Sequence, residues 1–388
     1  MKLFNFLLSR SHSGYTRLTK STSCLQSPKM KWFCNLLGHY FCQTTTIAPF
    51  LLLPLILIYI TVDSGETKVV SIILLTFIVI FFLGLLYQAQ DMLLYHPGMP
   101  DNARIYVSSP PAIYPYDEVL IRTADGEDLH GFFLKQSEDL IKEAPTIIYF
   151  HGNAGNAGLP SALPLYQTCE VNILMLDYRG FGRSSGTPSE SGLYIDGEAA
   201  VQYLHTRQDI NKNKIVLFGH SLGGAVAVHL ASCSQWSKGR IAAVIVENTF
   251  TNIPDTAINL FQTIFPFLRF LPHFCFKNKF ESLSKVRDVH VPMLFIFGDK
   301  DEIVGANMSR MLYETAHNPR SAIVQIQGGT HNDTWCVSSA YQTAVYAFLT
   351  KVFHPESMKA GHTMPESSEE RTSMSWDWQQ QINNSAFA

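Results

Sequence analysis

The chain has 388 residues, a net charge of -3, and 46% apolar against 16% charged residues. That length holds one large domain plus appendages, and that charge gives no reason to expect a nucleic-acid partner. Seven cysteines, an odd number with no C-x-x-C pair, argue against a disulfide framework or a zinc ribbon, and the missing H-E-x-x-H and G-x-x-x-x-G-K-[ST] leave metalloprotease and P-loop readings without a starting point.

The apolar excess is local, between Ile47 and Tyr87. Residues 1–46 carry lysines and arginines but no acidic residue, and read as a basic, mostly flexible tail. The apolar run at 3–8 is too short for a signal-peptide core with a cleavage site. Cys24, Cys34 and Cys42 read as free thiols or as acylation sites near a membrane. Residues 69–87 are uncharged and long enough to span a hydrocarbon core of ~30 Å at ~1.5 Å per residue. Residues 47–62 are a shorter second candidate with Pro49 and Pro54, and 63–68 read as a polar loop between the two. The chain is therefore expected to be an integral membrane protein whose basic tail keeps the N-terminus cytosolic. One span would carry the rest to the lumen or outside; a hairpin would return it to the cytosol.

From about Tyr116 the pattern becomes short strands and amphipathic helices. Residues 119–121 and 129–134 predict an antiparallel pair turning at Asp125-Gly126. Residues 145–150 and 171–177 are unbroken apolar runs, as strands buried on both faces are. Then follow a helix near 190–205, strand 215–218, a helix from Leu222 and strand 241–246. Strand 293–297, a helix near 307–317, strand 322–327 and a helix near 338–352 close the series. The alternation predicts an α/β fold, a mostly parallel sheet with helices on both faces. Residues 250–285 break it with eight phenylalanines and with Pro254, Pro266 and Pro272. They read either as a lid or wall for an apolar group or as a helix packing its rings into the core. After His354 the tail is polar and is expected to be disordered.

The chemistry centres on Gly219-His220-Ser221-Leu222-Gly223, a G-x-S-x-G between a β-branched strand and an Ala-rich helix. That context is a nucleophile elbow, with Ser221 on a strained corner and small residues where strand and helix converge. A serine hydroxyl needs a base, and the base needs an orienting acid. His331, in the loop after the last predicted strand, is the base; His220 and His229 lack that placement. The acid comes from Gly298-Asp299-Lys300-Asp301-Glu302, with Asp301 preferred, Asp299 as a turn-holder, and Glu247 as the lesser candidate one strand earlier. Two backbone N–H groups must face the developing oxyanion. Leu222 supplies one, and the loop His151-Gly152-Asn153-Ala154-Gly155-Asn156 the other, from Asn153 or alternatively Ala154. Asp177 and Arg179 are expected to pin the neighbouring loop.

These residues carry a family likeness. The stretches 149–156, 177–180, 221–224, 246–250 and 330–335, with Tyr95, resemble the α/β-hydrolase serine esterases, above all their membrane-anchored members. The likeness runs from residue 85 to residue 352. It implies the α/β-hydrolase fold, the triad Ser221, Asp301 and His331, a single N-terminal signal-anchor and an acyl-ester substrate class. Similar cytosolic proteins with H-G-N-A-x-N and D-Y-R-G remove palmitate from cysteines, which implies a thioesterase. Gly305 departs from the pattern, where proline is usual.

The expectation is a membrane-anchored serine hydrolase for an ester or thioester of an apolar acyl group on a protein or lipid, with no metal or cofactor. A lipid or small-ester hydrolase is the alternative, and a catalytically idle membrane scaffold the alternative of another class, which would be expected to lack a triad member. Oligomeric state stays open. Sequons at Asn332-Asp333-Thr334 and Asn307-Met308-Ser309 bear on sidedness, because a glycan on Asn332 would crowd the site.

Overall fold

Apolar runs that do not alternate need cover on both faces. In the computed structural model, which describes residues 65–356 apart from Leu159, Lys238, Ile264 and Phe265, the central strands have it. The basic tail, the candidate span 47–62, the three N-terminal cysteines and the polar tail beyond 356 lie outside the described residues. The strands are β1 (Tyr116–Arg122), β2 (Asp128–Leu134), β3 (Thr146–Phe150) and β4 (Asn172–Leu176), then β5 (Ile215–His220), β6 (Ala243–Glu247), β7 (Met293–Gly298) and β8 (Ala322–Ile326). They form one sheet in the order β1-β2-β4-β3-β5-β6-β7-β8. β1, β2 and β4 pair antiparallel, and every other neighbour is parallel.

Side chains alternate between two cores. Ile148, Leu174, Leu217, Val246 and Phe295 face the one built with helices Glu190–Thr206, Leu222–Ser232 and Ala306–Thr315. Their neighbours Ile147, Ile173, Phe218, Ile245 and Ile296 face the other, with Leu163–Thr168 and Ala340–Phe353. Period two with both faces buried is what the unbroken runs encode. Because β3, β5, β6, β7 and β8 run parallel, their C-terminal ends open on one edge of the sheet, where loops can meet.

Three stretches differ from expectation. Residues 65–68 of the predicted polar loop are helical, and the helix continues to Leu94 through the polar Gln88, Gln90 and Asp91. At ~1.5 Å per residue its 30 residues exceed a bilayer core of ~30 Å, and Val69, Ile72, Phe77 and Ile80 on it are exposed. A compact unit begins at Tyr87. The phenylalanine-rich segment divides between its two readings. Its helix Ile253–Phe261 is capped by Asn252, whose side chain accepts from the Asp255 N–H. Phe250, Phe276 and Phe280 are buried, whereas Phe270 and Phe274 are exposed. Prolines account for the division, since Pro266 and Pro272 each start a short turn instead of extending the helix.

On the antiparallel side, His130 of β2 is buried between two carboxylates, Asp177 at 2.9 Å from Nδ1 and Glu118 at 2.8 Å from Nε2. Burial opposes charging the ring, but both hydrogen bonds and both charges favour it, and the net effect raises its pKa above 6.5. A raised folded-state value stabilises the protein below the unfolded value and ceases to as pH rises through the folded one. His130→Gln should therefore lower the melting temperature most near pH 6 and progressively less above it. Melts of the detergent-solubilised pair across pH 6 to 9 read this directly, and a gap that widens with pH would contradict it.

Candidate active site

Ser221 occupies the corner between β5 and the helix Leu222–Ser232 at φ 52°, ψ -115°. A residue with a Cβ held there costs on the order of 1–3 kcal/mol, so the surroundings must fix it. A Cβ on Gly219 would collide with the Gly223 carbonyl, and one on Gly223 with the Phe150 carbonyl. The serine backbone is fastened on both sides: its N–H donates to the Glu247 carbonyl (2.8 Å), and its carbonyl accepts from Thr249 Oγ1 (2.8 Å).

The Ser221 hydroxyl donates to His331 Nε2 at 3.0 Å, and His331 Nδ1 donates to Asp301 Oδ2 at 2.8 Å. Ser221 and His331 are both buried. Asp301 is itself aimed by two backbone donors, as the N–H groups of Ile303 and Val304 reach its Oδ1 at 2.8 Å each. Gly305 stands at φ -62°, ψ 139°, which proline also adopts. The proline that the resemblance leads one to expect here would meet the same φ and ψ. The other acidic candidates go elsewhere. Asp299 Oδ1 accepts from the Gly328 N–H (2.6 Å), tying the two loops together instead of holding its own turn. Glu302 Oε2 accepts from the His331 N–H at 3.3 Å. Glu247 is buried and accepts from the Tyr341 hydroxyl at 2.8 Å. Burial, opposed by that hydrogen bond and reinforced by Asp301, pushes its pKa up to about 8, so at neutral pH it is largely uncharged and unsuited to orient an imidazolium.

Leu222 opens its helix, where the first-turn N–H groups have no intrahelical partner. Asn153 lies in the loop after β3. A Cβ on the preceding Gly152 would lie 3.1 Å from His220 Nδ1 and 3.7 Å from Ser221 Cβ, so this backbone borders the serine. The loop is laced to residues 94–106: the Asn153 amide donates to the Leu94 carbonyl (2.9 Å), the His96 N–H to the Asn153 carbonyl (2.8 Å), and the Asn156 amide to Ala103 and Tyr106. Its far end is held by Asp177, which accepts from the Ala157 N–H, while Arg179 pairs with Asp125 and Asp196.

Two residues matter more than their sequence suggests. Asn248, buried at φ 48°, donates through Nδ2 to the His331 carbonyl (2.9 Å), the Thr330 carbonyl (3.2 Å) and Thr334 Oγ1 (3.0 Å). Its Oδ1 accepts from the Gly298 N–H at 2.9 Å, at the root of the Asp301 loop. His220 donates through Nε2 to the same His331 carbonyl at 2.9 Å, with its pKa pushed down to about 4 by burial and the neighbouring His331. For Asn248 the sequence offers two signals, its place in the family-like stretch 246–250 and its position just after a strand as a residue type that tolerates positive φ.

The arrangement is equipped for attack on a carbonyl: an oriented hydroxyl, a base within reach, an acid behind it, and two stretches of backbone N–H near the reaction centre. A model of the α/β hydrolase fold matches residues 145–283. The chain is 36% identical over 274 residues to the Bem46 protein of Schizosaccharomyces pombe, covering 69% of this chain and 88% of that one. It is 33% identical over 299 residues to the α/β hydrolase domain-containing protein WAV2 of Arabidopsis thaliana, covering 73% and 94%. An uncharacterized membrane protein of Saccharomyces cerevisiae is 32% identical over 268 residues, covering 68% and 90%. Among solved structures, a Pyrococcus furiosus esterase aligns with a TM-score of 0.55 at 20% identity, over 67% of this chain and 98% of that one, a likeness of fold.

The site leads to two expectations. Asn248→Gly keeps the positive φ accessible but removes the amide, and should slow phosphonylation of Ser221 by a fluorophosphonate about 10- to 100-fold, because small misplacements of reacting groups cost that much. A melting temperature close to wild type would assign the loss to positioning; an unchanged labelling rate would deny Asn248 that role. Glu247 keeps its proton in the folded chain between pH 4.5 and about 8 while the unfolded chain releases it, so wild-type stability falls across that window. Glu247→Gln should flatten that slope in a pH series of melts.

Proposed function

The chain belongs to the α/β-hydrolase family, and from that premise we propose that it is a membrane-anchored serine hydrolase cleaving an ester or thioester of an apolar acyl group. The observation that carries the reading is the hydrogen-bonded line from Ser221 through His331 to Asp301, with the serine on a strained elbow. In this reading Ser221 Oγ attacks the acyl carbonyl while His331 Nε2 takes its proton, and Asp301 holds the imidazole with Nε2 facing the serine. The N–H groups of Leu222 and Asn153 stabilise the tetrahedral oxyanion. His331 then protonates the departing alcohol or thiol, and water attacks the acyl-enzyme by the same route in reverse.

Anchoring is assigned to the helix Gly65–Leu94, whose length and apolar surface suit a bilayer. An acylated cysteine is favoured over a glyceride by the H-G-N-A-x-N and D-Y-R-G pattern alone. For sidedness, Thr334, the hydroxyl residue of the Asn332 sequon, is fully buried and accepts from Asn248, while Asn332 itself is exposed beside His331. An N-glycan there would stand at the mouth of the site, which favours a cytosolic catalytic domain.

Ser221→Ala should abolish fluorophosphonate labelling and lower hydrolysis by roughly 10³-fold or more. Retained labelling and turnover would refute the mechanism. Parallel assays on a palmitoyl-cysteine peptide and a matched acyl glyceride rank the two substrate classes, and a glyceride preference would overturn the thioesterase part alone.

A further inference from the structure

One apolar surface among the described residues has no part in the chemistry above. Phe270 and Phe274 are 73% and 74% exposed on the turns Pro266–Phe270 and His273–Cys275. The Arg269 guanidinium lies 4.8 Å from the Phe270 ring centroid. This segment is fastened to the last turns of the helix Gly65–Leu94. Gln90 Nε2 donates to the Cys275 carbonyl (2.8 Å), and the Lys277 N–H donates to Gln90 Oε1 (2.9 Å). Asp91 accepts from Asn278 Nδ2 (2.6 Å) and pairs with the Lys277 ammonium.

Counting along the chain gives the depth of that fastening. The apolar run ends at Tyr87, where the polar Gln88 follows, and Gln90 lies about 4.5 Å further along a helix rising ~1.5 Å per residue. The interfacial layer on each side of a bilayer's hydrocarbon core is about 5–8 Å thick. Backbone hydrogen-bonded to Gln90 therefore falls within that layer, and Phe274 is the residue next to Cys275. Amphipathic segments with aromatic rings and basic groups are favoured there, rings toward the acyl boundary and cations toward the headgroups.

We propose that Phe270 and Phe274, with Arg269, rest in the interfacial layer of a phospholipid bilayer, a second hold on the membrane that turns the site toward lipid-borne acyl chains. The inference rests on the membrane anchor of the proposed function. It makes the residues between the Thr249 contact with Ser221 and the Gln90 contact with the helix a bridge from catalytic centre to lipid.

The test uses the full-length protein in phosphatidylcholine–phosphatidylserine vesicles and compares two tryptophan variants. Phe274→Trp should add emission that is shifted to the blue relative to water-exposed indole and quenched by lipids brominated near the headgroup end of the acyl chain. Leu120→Trp, at a β1 position that is 68% exposed, should add emission that those lipids do not quench. Equal quenching at both positions, or none at either, overturns the proposal. Neither signal needs turnover, so failure here is separate from failure of the hydrolase reading. Loss of wild-type protein from the vesicles in alkaline carbonate would remove the anchor and this proposal with it. Phe270→Ser/Phe274→Ser should raise KM for a vesicle-embedded acyl thioester while leaving hydrolysis of a short water-soluble ester intact; an unchanged KM would overturn the substrate-facing role.

Discussion

Three consecutive residues at the C-terminal end of β6 hold the candidate site in register. Glu247 receives the Ser221 N–H on its carbonyl, Thr249 donates its hydroxyl to the Ser221 carbonyl, and Asn248 between them grips the His331 carbonyl and the Gly298 N–H. Ser221, His331 and Asp301 come from three loops at the ends of β5, β8 and β7, separated by up to 110 positions in the chain. Side chains hung on separate loops would each move with their own loop. A single asparagine that bonds two of those loops, and neighbours that bond the third, convert three independent tethers into one. The backbone strain at Ser221 and Asn248, φ 52° and 48°, is tolerated because these bonds over-determine both residues.

The sheet makes that tether possible. β5, β6 and β7 are adjacent and parallel, so their C-terminal ends emerge side by side with β6 in the centre. Two cores, one on each face, keep the strands from shifting relative to each other, since a slip would expose one set of large apolar side chains and crowd the other. Glu247 belongs to this frame. Its buried carboxyl accepts from the Tyr341 hydroxyl of the helix Ala340–Phe353, so the acid that the sequence offered one strand early is a packing element.

Around this centre the structure adds the segment 94–106, which few sequence signals mark. It laces the loop after β3 through Leu94, His96, Ala103 and Tyr106, so the backbone bordering Ser221 on the oxyanion side is continuous with the end of the apolar helix. The phenylalanine-rich segment is tied to the same helix end through Gln90 and Asp91. The loop bordering Ser221 and the phenylalanine-rich segment are thus both hydrogen-bonded to the same helix end.

The sequence by itself determined the sheet, because strands buried on both faces leave unbroken apolar runs, and it determined the elbow, because only small residues fit where strand and helix converge at Ser221. It placed Asp301 and His331 in the loops after two strands of that sheet, since chain order in a parallel sheet dictates which loops meet. What only the tertiary structure decided were matters of contact between distant loops. Asp301 rather than Asp299 or Glu247 faces His331 because two N–H groups aim its carboxylate, and local sequence does not encode that direction. The contacts of Asn248 and His220 are not written in their local sequence, because their partners lie 83 and 111 positions away. The phenylalanines of 250–285 could not be sorted into core and surface from spacing, because prolines break the segment into turns with no common period. Periodicity is local and survives in the sequence; hydrogen bonds between loops are not, and exist only once the sheet has brought the loops together.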